Sequence, residues 1–231
     1  MYYNPFYSEI FMNKQDILNA YSFRHACKVY DPSKKISDED LRFILETGRQ
    51  SPTSFGLEPM QLVVVKNEEM LKFIGENCWG VGTKATDASD LVLILARKGK
   101  TLQEGTAHFT KMFREIKGVD DTIFNAYTNF FKQFRTSDFD LNTERAFDDW
   151  AARQTFIALG NMMTSAAMIG IDSTALEGFP MEKMSAYLAE KGVLNREEFN
   201  LVAMAAFGYR LEDPKRPQTR RPFDEVVSFV R

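Results

Sequence analysis

The chain has 231 residues, 44% hydrophobic and 26% charged, enough apolar side chains to bury a large core. Its net charge is −3 and its basic residues are interspersed with acids, which excludes an overall field that would gather nucleic acid. The longest apolar runs, such as LVLILA at 91–96, are too short to span a bilayer, and the opening MYYNPFYSEIF lacks the basic flank and apolar stretch of a signal peptide, so a cytoplasmic protein is expected.

Residues 13–22 carry a helical pattern, and Lys28 to Ser37 is expected to be largely irregular because Pro32 interrupts it. Ser37 suits the N-cap of a helix with Leu41, Ile44 and Leu45 on one face and Asp38, Glu39 and Asp40 at its positive end. SPTSFGLEP breaks that helix before MQLVVVK, a run of β-formers that predicts a buried strand. A helix follows at about 68–77, then the glycine-bearing CWGVGTK and a second strand at 91–96. From Glu104 to Asp140 phenylalanines crowd among polar residues without strand-like alternation, which reads as a helical excursion. Thr143 to Ile169 is the longest helical pattern, and its small residues Ala151, Ala152, Ala158, Gly160, Ala166 and Ala167 would let another helix approach closely. A helix at 181–191, a third strand at 198–207 and a proline-rich stretch lead to FDEVVSFV at 223–230, whose alternation suits adding a strand to another sheet edge. With no internal repeat or long linker, one α+β domain over residues 1–231 is expected, with a C-terminal arm at about 212–231.

Two basic clusters stand near opposite ends: Arg24, His25 and Lys28, and Arg220 with Arg221. Folded together they would anchor an anionic group, each charge-assisted hydrogen bond contributing about 1.5–3 kcal/mol. Taken alone, each cluster reads as solvated surface. Cys27 and Cys78 form no CxxC, and His108 has no partner at metal-ligand spacing, so no metal site and a reduced compartment are expected. Cations beside Cys27 would favour its thiolate, but no nucleophile motif surrounds it.

Further landmarks are SPTS at Ser51 to Ser54, Lys84 ahead of Asp87-Ala88-Ser89, the long helix from Trp150 to Asp172, ALEGF at Ala175 to Phe179, and QTRRP at 218–222. In this order, over about residues 14–228, they resemble the FMN-dependent nitroreductase family. The resemblance implies an α+β fold with a central mixed or antiparallel sheet flanked by helices, and a homodimer in which the C-terminal segment is exchanged. It implies FMN contacts from Arg24, His25, Ala26 and Lys28, from Ser51, Pro52, Thr53 and Ser54, from Lys84, from Ala175, Leu176, Glu177 and Gly178, and from Gln218 and Arg220. Arg24 and Arg220 would meet the phosphate, Lys28 the pyrimidine edge, and the backbone of Glu177 and Gly178 the central ring, where a glycine allows close approach. The aromatic excursion corresponds to the cover of the flavin face, with Phe124 and Phe130 as candidates to line the substrate site.

The implied activity is transfer of reducing equivalents from NADH or NADPH to nitroaromatics, quinones or similar electrophiles, by turns on one flavin face. Two departures stand out. Ala26 replaces the family's usual serine and Gln218 its usual lysine, so restoring lysine at 218 is expected to tighten FMN binding. Two other readings remain: an FMN-storing or redox-sensing module without turnover, and an interaction protein whose long helix only dimerises. Bleaching by NADPH with reoxidation by a quinone separates the first from an enzyme, and a colourless preparation marks the second.

Overall fold

β2 (Asp90–Arg97) and β4 (Phe199–Gly208) form the centre of a four-stranded sheet, flanked by β1 (Met60–Val65) and β3 (Asp172–Leu176) in the order β1-β2-β4-β3. All three pairings are antiparallel, the second of the two forms expected for the sheet. The only parallel contact among the described residues is an isolated bridge between Ala26 and Ser173. The computed structural model describes residues 13–231. The opening segment on which the reading of no signal peptide rests lies outside the described residues.

Side chains of a strand alternate between its two faces, and β2 uses both. Leu91, Leu93 and Leu95 point to one side, where Met204 and Ala206 of β4 join Met70 and Ile74 of α3 (Glu68–Asn77) and Met184 and Leu188 of α8 (Met181–Glu190). Val92 and Ile94 point to the other, against Leu41 and Ile44 of α2 (Asp38–Arg49) and Leu159, Met162 and Ala166 of α7 (Glu144–Met168). A bulge between Ile94 and Leu95 shifts the register with β4 and keeps both faces apolar on either side of it.

The helix starts follow the expected chemistry. The Ser37 hydroxyl accepts from the Asp40 amide at 3.0 Å, and Asp38, Glu39 and Asp40 occupy the first turn of α2. At 25 residues α7 is about 37 Å long. It buries Phe147, Ala151, Ala158 and Met162 but leaves Phe156 and Ile157 exposed, and a Cβ on Gly160 would meet nothing within 4 Å. One face of α7 is thus covered by the chain and one is not.

The aromatic excursion is helical, as expected, but wider in places than an α-helix: α5 (Ala107–Thr110) runs into a π-helical stretch at Lys111–Ile116, and α6 (Asp121–Gln133) into another at Phe134–Asp138. Its buried rings, Phe109, Phe113 and Phe131, pack with Phe147 and Trp150 of α7 in a third apolar cluster.

Two differences from the sequence reading bear on the site. β3 had no signal as a strand, since DSTAL holds only two apolar residues, yet it pairs with β4 along its length. The end of the chain, expected as a strand, forms one helical turn instead, α9 (Phe223–Val226), because Pro222 fixes the entry and Asp224 and Glu225 suit a first turn. Phe223, Val226, Phe229 and Val230 beside it are exposed. The remaining helices are α1 (Lys14–Phe23) and the short α4 (Lys84–Asp87). Among the described residues, no helix is long and apolar enough to cross a membrane.

Candidate functional site

α1 stops at Phe23, and the chain leaves it extended at Arg24. Ala26 bridges to Ser173 of β3 and Tyr30 to Arg210 just beyond β4, so the Arg24–Lys28 segment lies along the sheet edge. Buried hydroxyls lock it there: Thr174 donates to the Cys27 carbonyl at 2.8 Å, and Tyr30 donates to the Ala206 carbonyl at 3.0 Å. The Arg210 guanidinium holds the buried Asp172 carboxylate at 2.6 Å and donates to the Phe23 carbonyl at 3.0 Å, tying α1, β3 and the C-terminal stretch together. Arg210 and Asp172 were not foreseen, because nothing in the sequence links residues 38 positions apart.

Between this segment and the C-terminal stretch lies a cavity of about 620 Å³, lined among others by Arg24, His25, Ala26, Lys28, Gln218 and Arg220. That volume lies in the range of small-molecule sites. Among the described residues, neither Arg24 nor Lys28 forms an ion pair. Arg220 donates only to neutral oxygens, those of the Thr219 carbonyl at 2.8 Å and the Gln218 amide at 2.7 Å. Asp172, Glu212 and Asp213 also line the cavity, yet none of them pairs with Arg24, Lys28 or Arg220, and cations so left fit an anionic group of nucleotide size.

Gln218 is not the neutral gap that its comparison with lysine suggested. Its amide nitrogen lies 3.0 Å from the Tyr21 carbonyl and 3.1 Å from that of Ser22, and it also donates to the Arg24 carbonyl.

The Ala175–Gly178 stretch continues from β3. Ala175 and Glu177 are exposed, whereas the Leu176 side chain is in the core, so Leu176 can offer only its backbone to a ligand. Within the chain itself, packing already requires a glycine at 178. The Gly80 amide donates to the Gly178 carbonyl at 2.8 Å, and a Cβ on Gly178 would fall 2.6 Å from the Cα of Gly80. Lys84 folds back over the same loop, its ammonium 3.3 Å from the Val81 carbonyl. Trp79, 86% exposed, stands beside Gly178.

Ser51 to Ser54 do not line the cavity within one chain. They are fixed to α7 instead: Asn161 donates to the Ser51 hydroxyl at 2.8 Å, and the Ser54 amide donates to Gln154 at 2.9 Å. Thr53 accepts from the Glu58 amide at 3.0 Å, and Pro52 is exposed. Phe55, in the left-handed region at φ 56°, inserts its ring among Phe130, Phe131 and Phe134 with centroids 4.9–5.6 Å apart. His108 Nε2 and the Leu57 carbonyl, 2.6 Å apart, hold the excursion to the same loop, and burial lowers the pKa of this imidazole. Phe124 is half-buried beneath Arg114, and Phe130 is exposed.

Both cysteines are buried, and burial pushes each thiol up to about 11; at Cys27 the Asp172 charge adds to this. Neither suits a nucleophile. Both should react with iodoacetamide at pH 8 roughly a hundredfold more slowly in the native chain than in urea, followed by mass spectrometry. Equal rates would show that the thiols open to solvent. Unfolded thiols ionise near 9.0, so the stability these groups contribute is fully present below pH 9 and is lost as pH rises toward 11. Among the described residues, no group of three or more His, Cys, Asp or Glu is placed to hold a metal ion.

The family model described as "Nitroreductase family" matches residues 21–209. YfkO of Bacillus subtilis, provisionally named an NAD(P)H nitroreductase, is 44% identical over 218 residues, covering 94% of this chain and 98% of that protein. Among solved structures, a provisionally named nitroreductase of Bacillus subtilis, ydfN, superposes with a TM-score of 0.77 at 20% identity, covering 94% of this chain and all of the other. A similarly named protein of Exiguobacterium sibiricum, solved in complex with FMN, superposes with a TM-score of 0.72 at 15% identity, covering 95% of this chain and 98% of its own. At these identities the structures speak for the fold, and the family match and YfkO for kinship: the chain belongs to the nitroreductase family of oxidoreductases.

Proposed function

We propose that the chain is an FMN-dependent oxidoreductase of the cytoplasm that moves reducing equivalents from NADH or NADPH to nitroaromatics, quinones or similar electrophiles. The observation that carries this reading is the cavity lined by Arg24, Lys28 and Arg220, none of which forms an ion pair among the described residues. Arg24 and Arg220 would hold the phosphate, Lys28 the pyrimidine edge, and the backbone of Glu177 and Gly178 the central ring. Bound FMN supplies the hydride chemistry, with donor and acceptor taking turns in a ping-pong cycle. The protein contributes charge, orientation and exclusion of water, the last from the aromatic excursion with Phe124 and Phe130 at its surface. The exposed Phe156 and Ile157 on α7 and the apolar chain end support a homodimer of such single-domain chains, in which Ser51 to Ser54 of one subunit reach the site of the other.

Arg220→Ala should weaken FMN binding roughly ten- to 150-fold, the loss of one charge-assisted contact of about 1.5–3 kcal/mol, while Arg221→Ala leaves it near wild type. Flavin fluorescence titration of the apoprotein measures both. Equal dissociation constants for the two variants would remove Arg220 from the phosphate site. Turnover is tested apart from binding: NADH or NADPH should bleach the flavin and a quinone restore its colour, and a flavin that stays yellow under both would contradict an enzyme.

A further inference from the structure

We infer that Gln218 is a positioning residue that aligns the two arginines of the phosphate site, an inference that rests on the FMN reading above. α1 ends without a basic residue in its last turn, so the carbonyls of Tyr21 and Ser22 lack the cation that often satisfies a helix C-terminus. The Gln218 amide takes that role. It shares its two hydrogens among three oxygens, those of Tyr21 at 3.0 Å, Ser22 at 3.1 Å and Arg24. The other end of the same amide accepts from Arg220 Nη2 at 2.7 Å. One planar group therefore fixes the backbone of Arg24 and the guanidinium of Arg220, 196 positions apart in the chain, and both arginines line the same cavity.

The arrangement requires a donor on one side and an acceptor on the other, which glutamine has and lysine lacks. A lysine at 218 would donate to the carbonyls but present a second cation to Arg220 in place of the oxygen that holds it. On this reading the residue works through its neighbours rather than by a charge of its own. Among the described residues Arg220 has no carboxylate to fix its fork, so without Gln218 its guanidinium would be free to swing away from Arg24.

The test compares FMN with riboflavin, which shares the ring and lacks the phosphate. The full-length protein, freed of flavin, is titrated with each by fluorescence, in wild type and in Gln218→Met, which keeps the side-chain length and removes both ends of the amide. Wild type should prefer FMN, and Gln218→Met should lose about tenfold in FMN affinity with riboflavin unchanged. In an Arg220→Ala background the same substitution should cost markedly less, because the group it aligns is gone. A Gln218→Met protein that keeps the wild-type preference overturns the inference and leaves the FMN reading standing, as does a cost that adds fully to that of Arg220→Ala. Parallel loss of riboflavin makes Gln218 a fold residue of the C-terminal stretch and also overturns it. Wild type without preference for FMN removes the phosphate site itself, and the inference with it.

Discussion

Arg210→Ala is expected to destabilise the fold by about 3–5 kcal/mol, because it leaves a buried carboxylate without its cation. Asp172 is 3% exposed, and Arg210 reaches it through Nη2 at 2.6 Å and Nε at 2.9 Å. Only the amide of residue 210, 3.0 Å from the second carboxylate oxygen, would remain. The same guanidinium lies over the Phe23 ring at 4.4 Å and bonds the Phe23 carbonyl, so the end of α1 would loosen as well. For a chain of this size the loss corresponds to a fall in melting temperature of roughly 6–20 °C. Thermal unfolding followed by circular dichroism measures it. A midpoint within about 2 °C of wild type would show that water replaces the guanidinium at little cost.

The second large effect is expected at Gly178. In Gly178→Ala the new methyl would lie 2.6 Å from the Cα and 2.8 Å from the amide nitrogen of Gly80, and both are backbone atoms that cannot rotate away. Overpacking of this kind costs about 1–3 kcal/mol, and forcing the loops apart also breaks the Gly80-to-Gly178 hydrogen bond. Gly82→Ala is the contrasting case: its Cβ would meet nothing within 4 Å, so only its φ of 53° opposes the change. If Gly178→Ala melts no lower than Gly82→Ala, the two loops are not interlocked as the geometry has them.

Much of the fold was legible because its central elements are locally unambiguous. LVLILA and LVAMAA are apolar runs shorter than a usual helix, which favours buried strands, and the long proline-free run over α7 favours a helix. β3 was not legible because its stability is non-local: a strand with a buried Asp172 makes sense only beside Arg210. The π-helical stretches at Lys111–Ile116 and Phe134–Asp138 also left no local mark. At the site, motif order was enough to bring Arg24, Lys28 and Arg220 to one cavity. Residue type alone did not disclose that Gln218 caps a helix, because the role of an amide is set by what faces it. Gly178 was singled out for its bare Cα, yet the group known to occupy that space is Gly80.

The cavity also has a place in time. One wall is made by residues 24–29 and the other by residues 210–220, so neither wall encloses a space alone. As the chain is synthesised from its amino end, α1 and the first strands can form early, but the cavity does not exist until Gln218 and Arg220 have emerged and closed on Arg24. On the reading proposed above, loading of a phosphate-bearing cofactor there would be a late event in the life of each molecule, after β4, the last of the four strands, has been made.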